Sequence, residues 1–600
     1  MHLDDGLGHQ PGLHCYFNHH EQACAIAAEA YARIHNKIAA LCVTTGPGGT
    51  NAITGVVGGW LDSIPMLVLS GQVRYDTTAH STGLGIRAMG DQEFEITKAI
   101  DCMTKYSEMV LDPMRIRFCL EKSLYLAQTG RPGPCWLDIP LNVQGAYIET
   151  EALLGFDKDD YEAGGTGWSG HGTGCSGCTI CMMNKVEGKP AMIPSDVSGQ
   201  GEKRVKLPDP VTVEQAREIL KKVREAKRPV IMLGHGVDSS FSQQKLIRFA
   251  QKRQIPIITS VLAKSVLGYD HPLNFGCIGG AYGHRYANMI ANAKSDLLLC
   301  FGISLCTRQI GTKVHEFARG AKIIRIDIDP YNLQRDIHEN GINEVKLQAE
   351  TGAVIDCLAK AAAPDTEGIS DWLNVCTEIK ENLQAVDDAT PERYPNRMIA
   401  DLSDMLEDTS AIAVDVGQHM VWSYQSFKNH EGQKLLFSGG HGAMGYGLPA
   451  AIGAYYATGK PTACICGDGA LQMNIQELEW VKRENLPVKI MVMNNEALGM
   501  IRHLQRDYFD CLFAGTTDGC GFASCNFAEV AKAYGIPALR MLCDAVREEA
   551  PEFLEGEGPK LLEVMLEHGT FAYPKTCLGE PIHNQQPYAP KEVYDRLMEL

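Results

Sequence analysis

Short apolar runs alternate with helical and glycine-rich stretches along most of the chain. In the first segment, an apolar run at residues 41–45 leads into the glycine-rich sequence of residues 46–49. A stretch of helical character covers residues 50–62, and a second apolar run follows at residues 66–70. This order predicts a strand, a turn, a helix and a strand, which together form a parallel βαβ unit.

The same alternation returns twice, after two interruptions of loop composition. Further buried strands are predicted at residues 229–234, 296–302, 322–327, 411–415, 462–466 and 489–493. The sequence therefore predicts an α/β protein with three consecutive doubly wound parallel-sheet domains. The predicted limits are 1–149 for the first domain, 150–208 for a linker or insert, 209–363 for the central domain, 364–394 for a second linker, and 395–600 for the last domain with its C-terminal tail.

Composition narrows the class of protein. Hydrophobic residues make up 45% of the 600 residues and charged residues 21%, which is typical of a folded globular protein. The net charge of −18 argues against a nucleic-acid partner, because such binding depends on neutralised phosphates. No apolar run approaches the roughly 20 residues that span a bilayer. The first residues lack the basic and apolar regions of a signal peptide, and the 21 cysteines are scattered, so we expect a cytoplasmic location.

A candidate metal and phosphate site follows two predicted strands of the last domain. Gly467, Asp468 and Gly469 come directly after one strand, and Asn494–Asn495 comes after the next, with a helix predicted at residues 474–484 between them. A right-handed crossover would bring both strand ends to one sheet edge, where open α/β sheets bind ligands. Asp468 and Asn495 then offer two hard oxygens to Mg²⁺, which completes its octahedron with phosphate oxygens and water. Two unrelated turns are the alternative interpretation.

Several motifs together resemble one enzyme family. They are the glycine–aspartate–glycine site itself, Gly-Gln-Val at residues 71–73, Gly-Arg-Pro-Gly-Pro at 130–134, Asp-Val-Gly-Gln-His at 415–419 and Gly-Tyr-Gly-Leu-Pro-Ala-Ala at 445–451. They resemble the thiamine-diphosphate-dependent enzymes, and most closely those like the acetolactate synthase large subunit. The resemblance implies pyrimidine-binding, central and diphosphate-binding domains. It also implies a homodimer or homotetramer with the active site at the subunit interface.

The implied reaction decarboxylates a 2-ketoacid, with pyruvate as the expected donor, and joins the remainder to a second carbonyl compound. In the family, the cofactor lies between the first domain of one subunit and the last domain of another. This activity would belong to branched-chain amino acid biosynthesis. Two alternatives stay open: another 2-ketoacid decarboxylase or carboligase with a specialised acceptor, and an inactive homologue or truncated chain.

The resemblance also assigns site residues. Glu21 would hydrogen-bond the aminopyrimidine ring, although its position alone fits a first-turn acid favoured by the helix dipole. Met444 would hold the cofactor in its bent shape, and Gln92 matches an active-site glutamine. The implied cofactor-binding set is Gln418, His419, Met444, Gly467, Asp468, Gly469, Ala470 and Asn495, and the implied metal-binding set is Asp468, Asn495 and Ala497.

Three departures from the family pattern affect these expectations. A strand and a glycine-rich loop precede the position of Met1 in the family, so the first domain is expected to be truncated at its N-terminus. Asp91 and Leu504 stand where similar synthases place Phe and Trp, which predicts a roomier and more polar acceptor pocket. The central domain keeps Arg308 and residues 326–329 of the FAD pattern but differs at residues 279–285, so FAD stays an open alternative.

A cysteine run lies in the predicted insert. Cys175, Cys178 and Cys181, with His171 nearby, could ligate zinc or an iron–sulfur cluster, but either usually needs a fourth ligand. We favour a loop with free thiols.

Overall fold

The computed structural model describes residues 1–168, 207–239, 242–361 and 370–600. The chain divides into two compact units, Met1–Lys206 and Leu207–Leu600. One parallel sheet lies in the first unit and two lie in the second, which confirms the predicted α/β architecture of three parallel sheets. Cys175, Cys178, Cys181 and His171 lie outside the described residues.

The sheet of the first unit has four parallel strands. They are β1 (Ala39–Val43), β2 (Met66–Gln72), β3 (Tyr106–Met109) and β4 (Pro134–Pro140), in the order β1-β2-β4-β3. Both faces are covered, one by an alanine-rich cluster around Trp136 and the other by a cluster around Phe118. The α-helices of this unit are His2–His9, Glu21–His35, Pro47–Asp62, Ala79–Thr82, Ile96–Ile100, Ile116–Gln128, Leu141–Gln144 and Lys158–Glu162.

The central sheet lies in the second unit and has six parallel strands. They are β5 (Pro229–Leu233), β6 (Ile257–Thr259), β7 (Asn274–Cys277), β8 (Leu297–Phe301), β9 (Lys322–Asp327) and β10 (Glu344–Gln348), in the order β10-β9-β8-β5-β6-β7. The strand order therefore reverses between β8 and β5. The surrounding α-helices are Val213–Glu225, His235–Ser239, Gln243–Arg253, Arg285–Met289, Thr307–Ile310, Pro330–Gln334, Thr351–Ala361 and Ser370–Asn382.

The third sheet also has six parallel strands. They are β11 (Ala411–Val414), β12 (Lys434–Phe437), β13 (Thr462–Gly467), β14 (Val488–Asn494), β15 (Ala538–Leu542) and β16 (Lys560–Met565), in the order β12-β11-β13-β14-β16-β15. A short antiparallel pair, β17 (Lys575–Thr576) and β18 (Gln585–Gln586), follows. The α-helices are Pro395–Met405, Gln418–Ser426, Gly447–Thr458, Asp468–Leu471, Leu478–Arg483, Gly499–Tyr508, Phe527–Ala533, Val546–Leu554 and Lys591–Glu599.

Some boundaries differ from the sequence-based expectation. The helix expected over residues 474–484 is instead a 3₁₀ turn, Ile475–Glu477, followed by the helix Leu478–Arg483. The range 364–394, expected to be a linker, contains the helix Ser370–Asn382, whose Trp372 and Cys376 are buried in the core of the central sheet. Within the described ranges, no helix is long and apolar enough to cross a membrane.

Candidate active site

Two neighbouring strands of the third sheet bring the candidate metal ligands to one edge. β13 and β14 pair in parallel, with Gly467 opposite Met493, so Asp468 and Asn495 both follow strand ends at this edge. A cavity of about 110 Å³ opens there. All the site residues expected in the last domain line it, namely Gln418, His419, Met444, Gly467, Asp468, Gly469, Ala470, Asn495 and Ala497.

Asp468 is a buried carboxylate with an unused oxygen. Its side chain is 3% exposed, and none of the described residues hydrogen-bonds to its Oδ2 atom. Burial raises the pKa of Asp468 to about 7, although backbone N–H groups of Gly469 and Ala497 and the hydroxyl of Ser524 oppose the shift. A buried carboxylate in this state lacks a counter-charge, and a divalent cation would supply one.

Asn495 presents its carbonyl oxygen in the same cavity. Its amide nitrogen donates to Oε1 of Gln418 at 2.9 Å, and the Gln418 amide donates in turn to the backbone oxygen of Thr570 at 3.3 Å. In the part of the chain that the structure describes, no donor reaches Oδ1 of Asn495. Gly499 packs against this pair, and a Cβ there would displace Oε1 of Gln418. Asp468 and Asn495 therefore each keep one oxygen for a metal.

His419 lines the same cavity as a neutral, buried ring close to Gly467. Burial lowers the pKa of His419 to about 3, so the imidazole carries no charge at neutral pH. Its Nε2 atom has no hydrogen-bond partner among the described residues. An unsatisfied ring nitrogen in a cavity wall fits a polar group of a bound ligand.

Asp415 braces the loop that carries Met444, a role that the sequence did not reveal. Its two carboxylate oxygens accept from the backbone N–H groups of Gly445 at 2.9 Å and Gly447 at 2.7 Å. Asn474 donates to the backbone oxygen of Gly445 at 2.7 Å from the other side. Burial raises the pKa of Asp415 to about 6, and these N–H donors oppose the shift. The sequence signals for Asp415 were its position directly after a buried strand and its place at the start of the motif at residues 415–419.

Glu21 begins the helix Glu21–His35 in the first unit. Its Oε2 atom accepts a hydrogen bond from the side chain of Asn51 at 3.1 Å. Asn51 belongs to the helix Pro47–Asp62, which follows β1. The carboxylate thus lies near the carboxyl end of β1, partly exposed and already oriented by one amide donor.

Gln92 lies in an exposed loop of the same unit, with a left-handed backbone (φ 60°). Its backbone oxygen accepts from the Thr45 hydroxyl at 3.3 Å. Gly46 has φ 57°, and a Cβ at Gly46 would overlap with that oxygen, so the close approach of the two loops requires glycine there. Glu21 and Gln92 both contact the segment that follows β1, which groups them at one sheet edge.

Three family models match the chain in order. The N-terminal TPP (thiamine pyrophosphate, or diphosphate) binding domain of the thiamine pyrophosphate enzymes matches residues 1–96, their central domain residues 216–358, and their C-terminal TPP binding domain residues 415–564. The probable acetolactate synthase 2, chloroplastic, of Oryza sativa subsp. japonica is 31% identical, covering 96% of this chain and 80% of the relative. This chain belongs to the acetolactate synthase family of thiamine-diphosphate-dependent enzymes.

Other members of the acetolactate synthase family are similarly related. Acetolactate synthase 2, chloroplastic, of Zea mays is 30% identical over 96% of this chain and 83% of its own length. The probable acetolactate synthase large subunit of Methanocaldococcus jannaschii is 30% identical over 91% of this chain and 84% of its own. Family membership confirms the predicted fold and the predicted activity, which is thiamine-diphosphate-dependent decarboxylation and carboligation of the acetolactate synthase type.

The observed cavity fits the diphosphate end of this cofactor. The unused Oδ2 of Asp468 and Oδ1 of Asn495 suit Mg²⁺, and the unsatisfied Nε2 of His419 suits a phosphate oxygen or its water. Among the described residues, no three His, Cys, Asp or Glu side chains converge as in a self-sufficient metal site. A metal here would therefore need the diphosphate to complete its coordination.

Proposed function

We propose that the protein binds Mg²⁺ and thiamine diphosphate at the edge of the third sheet and uses pyruvate as the donor 2-ketoacid. The pair of unused oxygens on Asp468 and Asn495 is the observation that supports the metal most directly. Ala497 has no side-chain donor atom, so its backbone carbonyl would be the third protein ligand.

Some residues of the cavity would bind the metal and the diphosphate, and others hold these residues in place. Asp468 and Asn495 would fix the metal, while Gln418 orients Asn495 and His419 meets the diphosphate as a neutral ring. Asp415 and Asn474 fix the loop on both sides of Gly445, which holds Met444 in the cavity wall. When bound, the cofactor supplies a nucleophilic carbon and an electron sink.

Glu21 is the proposed proton-handling group. Its carboxylate would hold the cofactor's aminopyrimidine, so that the ring's amino nitrogen can accept the proton from the reactive carbon. Asn51 keeps the carboxylate oriented by donating to Oε2. Gln92 would contact the reacting carbonyl compounds. Its left-handed backbone, packed against Gly46, fixes the position of its Cα and Cβ atoms.

The active site is proposed to lie between subunits of a homodimer or homotetramer. The first unit of one subunit would supply Glu21 and Gln92, and the second unit of its partner would supply the metal site. This proposal rests on the family resemblance.

FAD is left out of the proposal. Dinucleotides bind where the strand order of a doubly wound sheet reverses, here between β8 and β5. At this point Gly236, which follows β5, donates through the backbone to Gly302, which follows β8, at 3.2 Å, and a Cβ at Gly234 would overlap with the Gly302 oxygen. The two loops thus contact each other where a crevice is needed. We expect the purified enzyme to show no flavin absorbance, and about one flavin per chain would contradict this.

Product analysis tests the proposed reaction. Purified protein with Mg²⁺, thiamine diphosphate and pyruvate should release CO₂ and form an acetoin-type or acetolactate-type hydroxyketone. Acetaldehyde as the sole product would indicate a simple decarboxylase. No turnover of any 2-ketoacid, despite cofactor binding, would indicate an inactive homologue.

A further inference from the structure

A second and larger cavity, of about 510 Å³, lies in the second unit. The helix Gly499–Tyr508 lines both cavities: Ile501 contributes to the cofactor cavity, whereas Leu504 and Tyr508 contribute to the larger one. Residues three and four apart lie on one helix face, and Ile501 and Leu504 are only about 4.5 Å apart along the axis. The two cavities are therefore neighbours along one face of this helix.

The larger cavity has more room than a second pyruvate would need. Its volume falls within the range of about 300–1,000 Å³ that is typical of small-molecule sites. Leu504 stands in its wall with 46% of its surface exposed, so this side chain leaves the space beside it open. A ligand that reacts with the bound cofactor could extend past Leu504 into this space.

Lys575 provides a buried charge in the wall of the larger cavity. Its side chain is 6% exposed, and its ammonium contacts the Asp507 carboxylate and Nε2 of His503, the latter at 3.4 Å. An ammonium has three N–H donors. Since Asp507 and His503 are its only hydrogen-bond partners in the described ranges, one donor is left for a ligand.

The cluster around Lys575 carries a surplus positive charge. Asp507 also pairs with Arg506, at 2.6 Å, so one carboxylate faces two cations. Burial lowers the pKa of His503 to about 4, with the nearby Lys575 charge adding to the shift, and the ring is therefore neutral at neutral pH. In a chain with a net charge of −18, a cationic wall beside the active site favours an anionic ligand.

A second charged cluster in the lining of the same cavity also carries one more positive than negative charge. Lys313 and Arg319 share Glu316, at 3.8 and 3.5 Å, which again leaves two cations for one carboxylate. Glu580 adds one negative charge to the lining, so the wall groups together retain a net positive charge. Tyr282 and Thr576 also line this cavity, and the Thr576 hydroxyl donates to the backbone oxygen of Ile582 at 3.2 Å.

We infer that the larger cavity binds the far end of the acceptor substrate, and that Lys575 binds a carboxylate or phosphate there. The acceptor would thus be a carbonyl compound longer than pyruvate, with an anionic group remote from the reacting carbonyl. This inference rests on the proposed carboligase function. The reaction consumes one 2-ketoacid, one aldehyde acceptor and one proton, forms one carbon–carbon bond, and gives CO₂ and a hydroxyketone without an external oxidant.

A matched pair of acceptors tests the inference. Succinic semialdehyde and butanal have the same chain length and differ by a terminal carboxylate. With pyruvate as donor, the wild-type enzyme should favour succinic semialdehyde in kcat/KM by about tenfold or more, as expected for a charge-assisted hydrogen bond. Lys575→Met should reduce this ratio to near one, and Lys575→Arg should retain most of it.

Two checks accompany the Lys575→Met variant, one on its folding and one on an exposed lysine elsewhere. Arg506 still pairs with Asp507 in Lys575→Met, so we expect that variant to fold, which circular dichroism checks. Lys591→Met removes an exposed lysine that pairs with Asp595, and should leave the acceptor ratio unchanged. A wild-type preference for butanal, or an undiminished ratio in Lys575→Met, would overturn the inference.

Failure of the proposed reaction can be separated from failure of the acceptor site. If the wild type consumes no pyruvate with any acceptor, calorimetry on the cofactor-loaded protein decides, with butyrate and its neutral amide, butanamide, as unreactive probes. Tighter binding of butyrate in the wild type, lost in Lys575→Met, would support the site. Equal binding of the two probes would reject it.

Discussion

Asp468 combines burial with an unused oxygen, so we expect it to be the most sensitive single position for the proposed metal binding. We expect Asp468→Ala to abolish Mg²⁺-dependent binding of thiamine diphosphate, because Asn495 and a backbone carbonyl supply too few ligands alone. Isothermal calorimetry measures the effect, and circular dichroism checks that the fold persists. Asp404→Ala, at an exposed helix position, is the control. Unchanged cofactor affinity in Asp468→Ala would remove the metal assignment.

Glu21 should affect chemistry more than binding. Glu21→Gln preserves the shape and the contact with Asn51 but removes the carboxylate, so exchange of the cofactor's C2 proton should slow by about a hundredfold or more. Exchange followed by NMR, with cofactor saturation confirmed by calorimetry, measures this. If the variant exchanged this proton at the wild-type rate, Glu21 would be only a first-turn acid favoured by the helix dipole.

The sequence predicted residues that line the cavity of the third sheet, but not the groups that brace them. Asp468 and Asn495 were accessible because each follows a buried strand directly. Asp415 and Asn474 act on the backbone of Gly445, and they are separated from it by loops whose paths local patterns do not determine. The position of the Lys575 ammonium could not be predicted from the sequence either, because its contacts join the helix Gly499–Tyr508 to a segment that is distant along the chain.

At the level of single elements, the helix Gly499–Tyr508 lines both cavities, with Ile501 in one wall and Leu504 in the other. Leu504→Trp would fill the space beside Ile501 with a large indole. We expect this change to lower kcat/KM for succinic semialdehyde. It should also raise the use of 2-ketobutyrate relative to pyruvate as acceptor by about ten- to a hundredfold, because a tight apolar wall discriminates one methylene group by about that factor. A competition assay measures both. A strong wild-type preference for 2-ketobutyrate would show that other side chains already fill the cavity.

Strand β4 carries a buried acid that should make stability pH-dependent. Asp138 accepts from Ser70 at 2.6 Å and Gln72 at 2.9 Å, yet burial raises its pKa to about 7. The folded state therefore holds a proton that the unfolded state releases, and stability falls as pH rises from about 4 to about 7, by at most about 1.4 kcal/mol per pH unit.

Denaturant unfolding of Asp138→Asn between pH 5 and pH 8 tests this effect. The variant should lose less stability over that range than the wild type, because its amide does not ionise. Asp159→Asn, at an exposed position, should keep the wild-type profile. Identical profiles for wild type and Asp138→Asn would contradict the assignment.

Element boundaries were predicted well where apolar runs are strong and poorly where glycine or polar residues dominate. β9 matches the predicted range, whereas the helix that follows β1 begins at Pro47, within sequence interpreted as a turn. Proline at the first helical turn, after Gly46 with positive φ, explains that start. The helix Ser370–Asn382 was missed in the polar range, although its buried Trp372, Cys376 and Ile379 recur at helical spacing.

For the whole molecule, subunit exchange tests whether the active site is shared. Glu21→Gln and Asp468→Ala subunits should each be inactive as homodimers. If the site combines two subunits, a hybrid dimer has one intact site, and random mixing of equal amounts should restore about a quarter of wild-type activity. Dissociation, mixing and reassembly, followed by a turnover assay, measure this. No recovery despite hybrid formation, checked by mass spectrometry, would place both residues in one chain.

The core of the central sheet is completed by two residues that lie far along the chain from it, Ile582 and Leu597. Ile582 and Leu597 are buried among residues such as Val230 and Leu298, and Asn288 donates to the backbone oxygen of Ile582 at 2.8 Å. During synthesis, these residues emerge about 200 residues after Leu383, which at ribosomal rates is a delay of about 10 to 40 seconds. The nascent central sheet must remain incomplete for that time. Chaperone holding and protection from proteolysis should therefore matter most for this part of the protein, and a premature stop near residue 575 should be as damaging as one in the sheet itself.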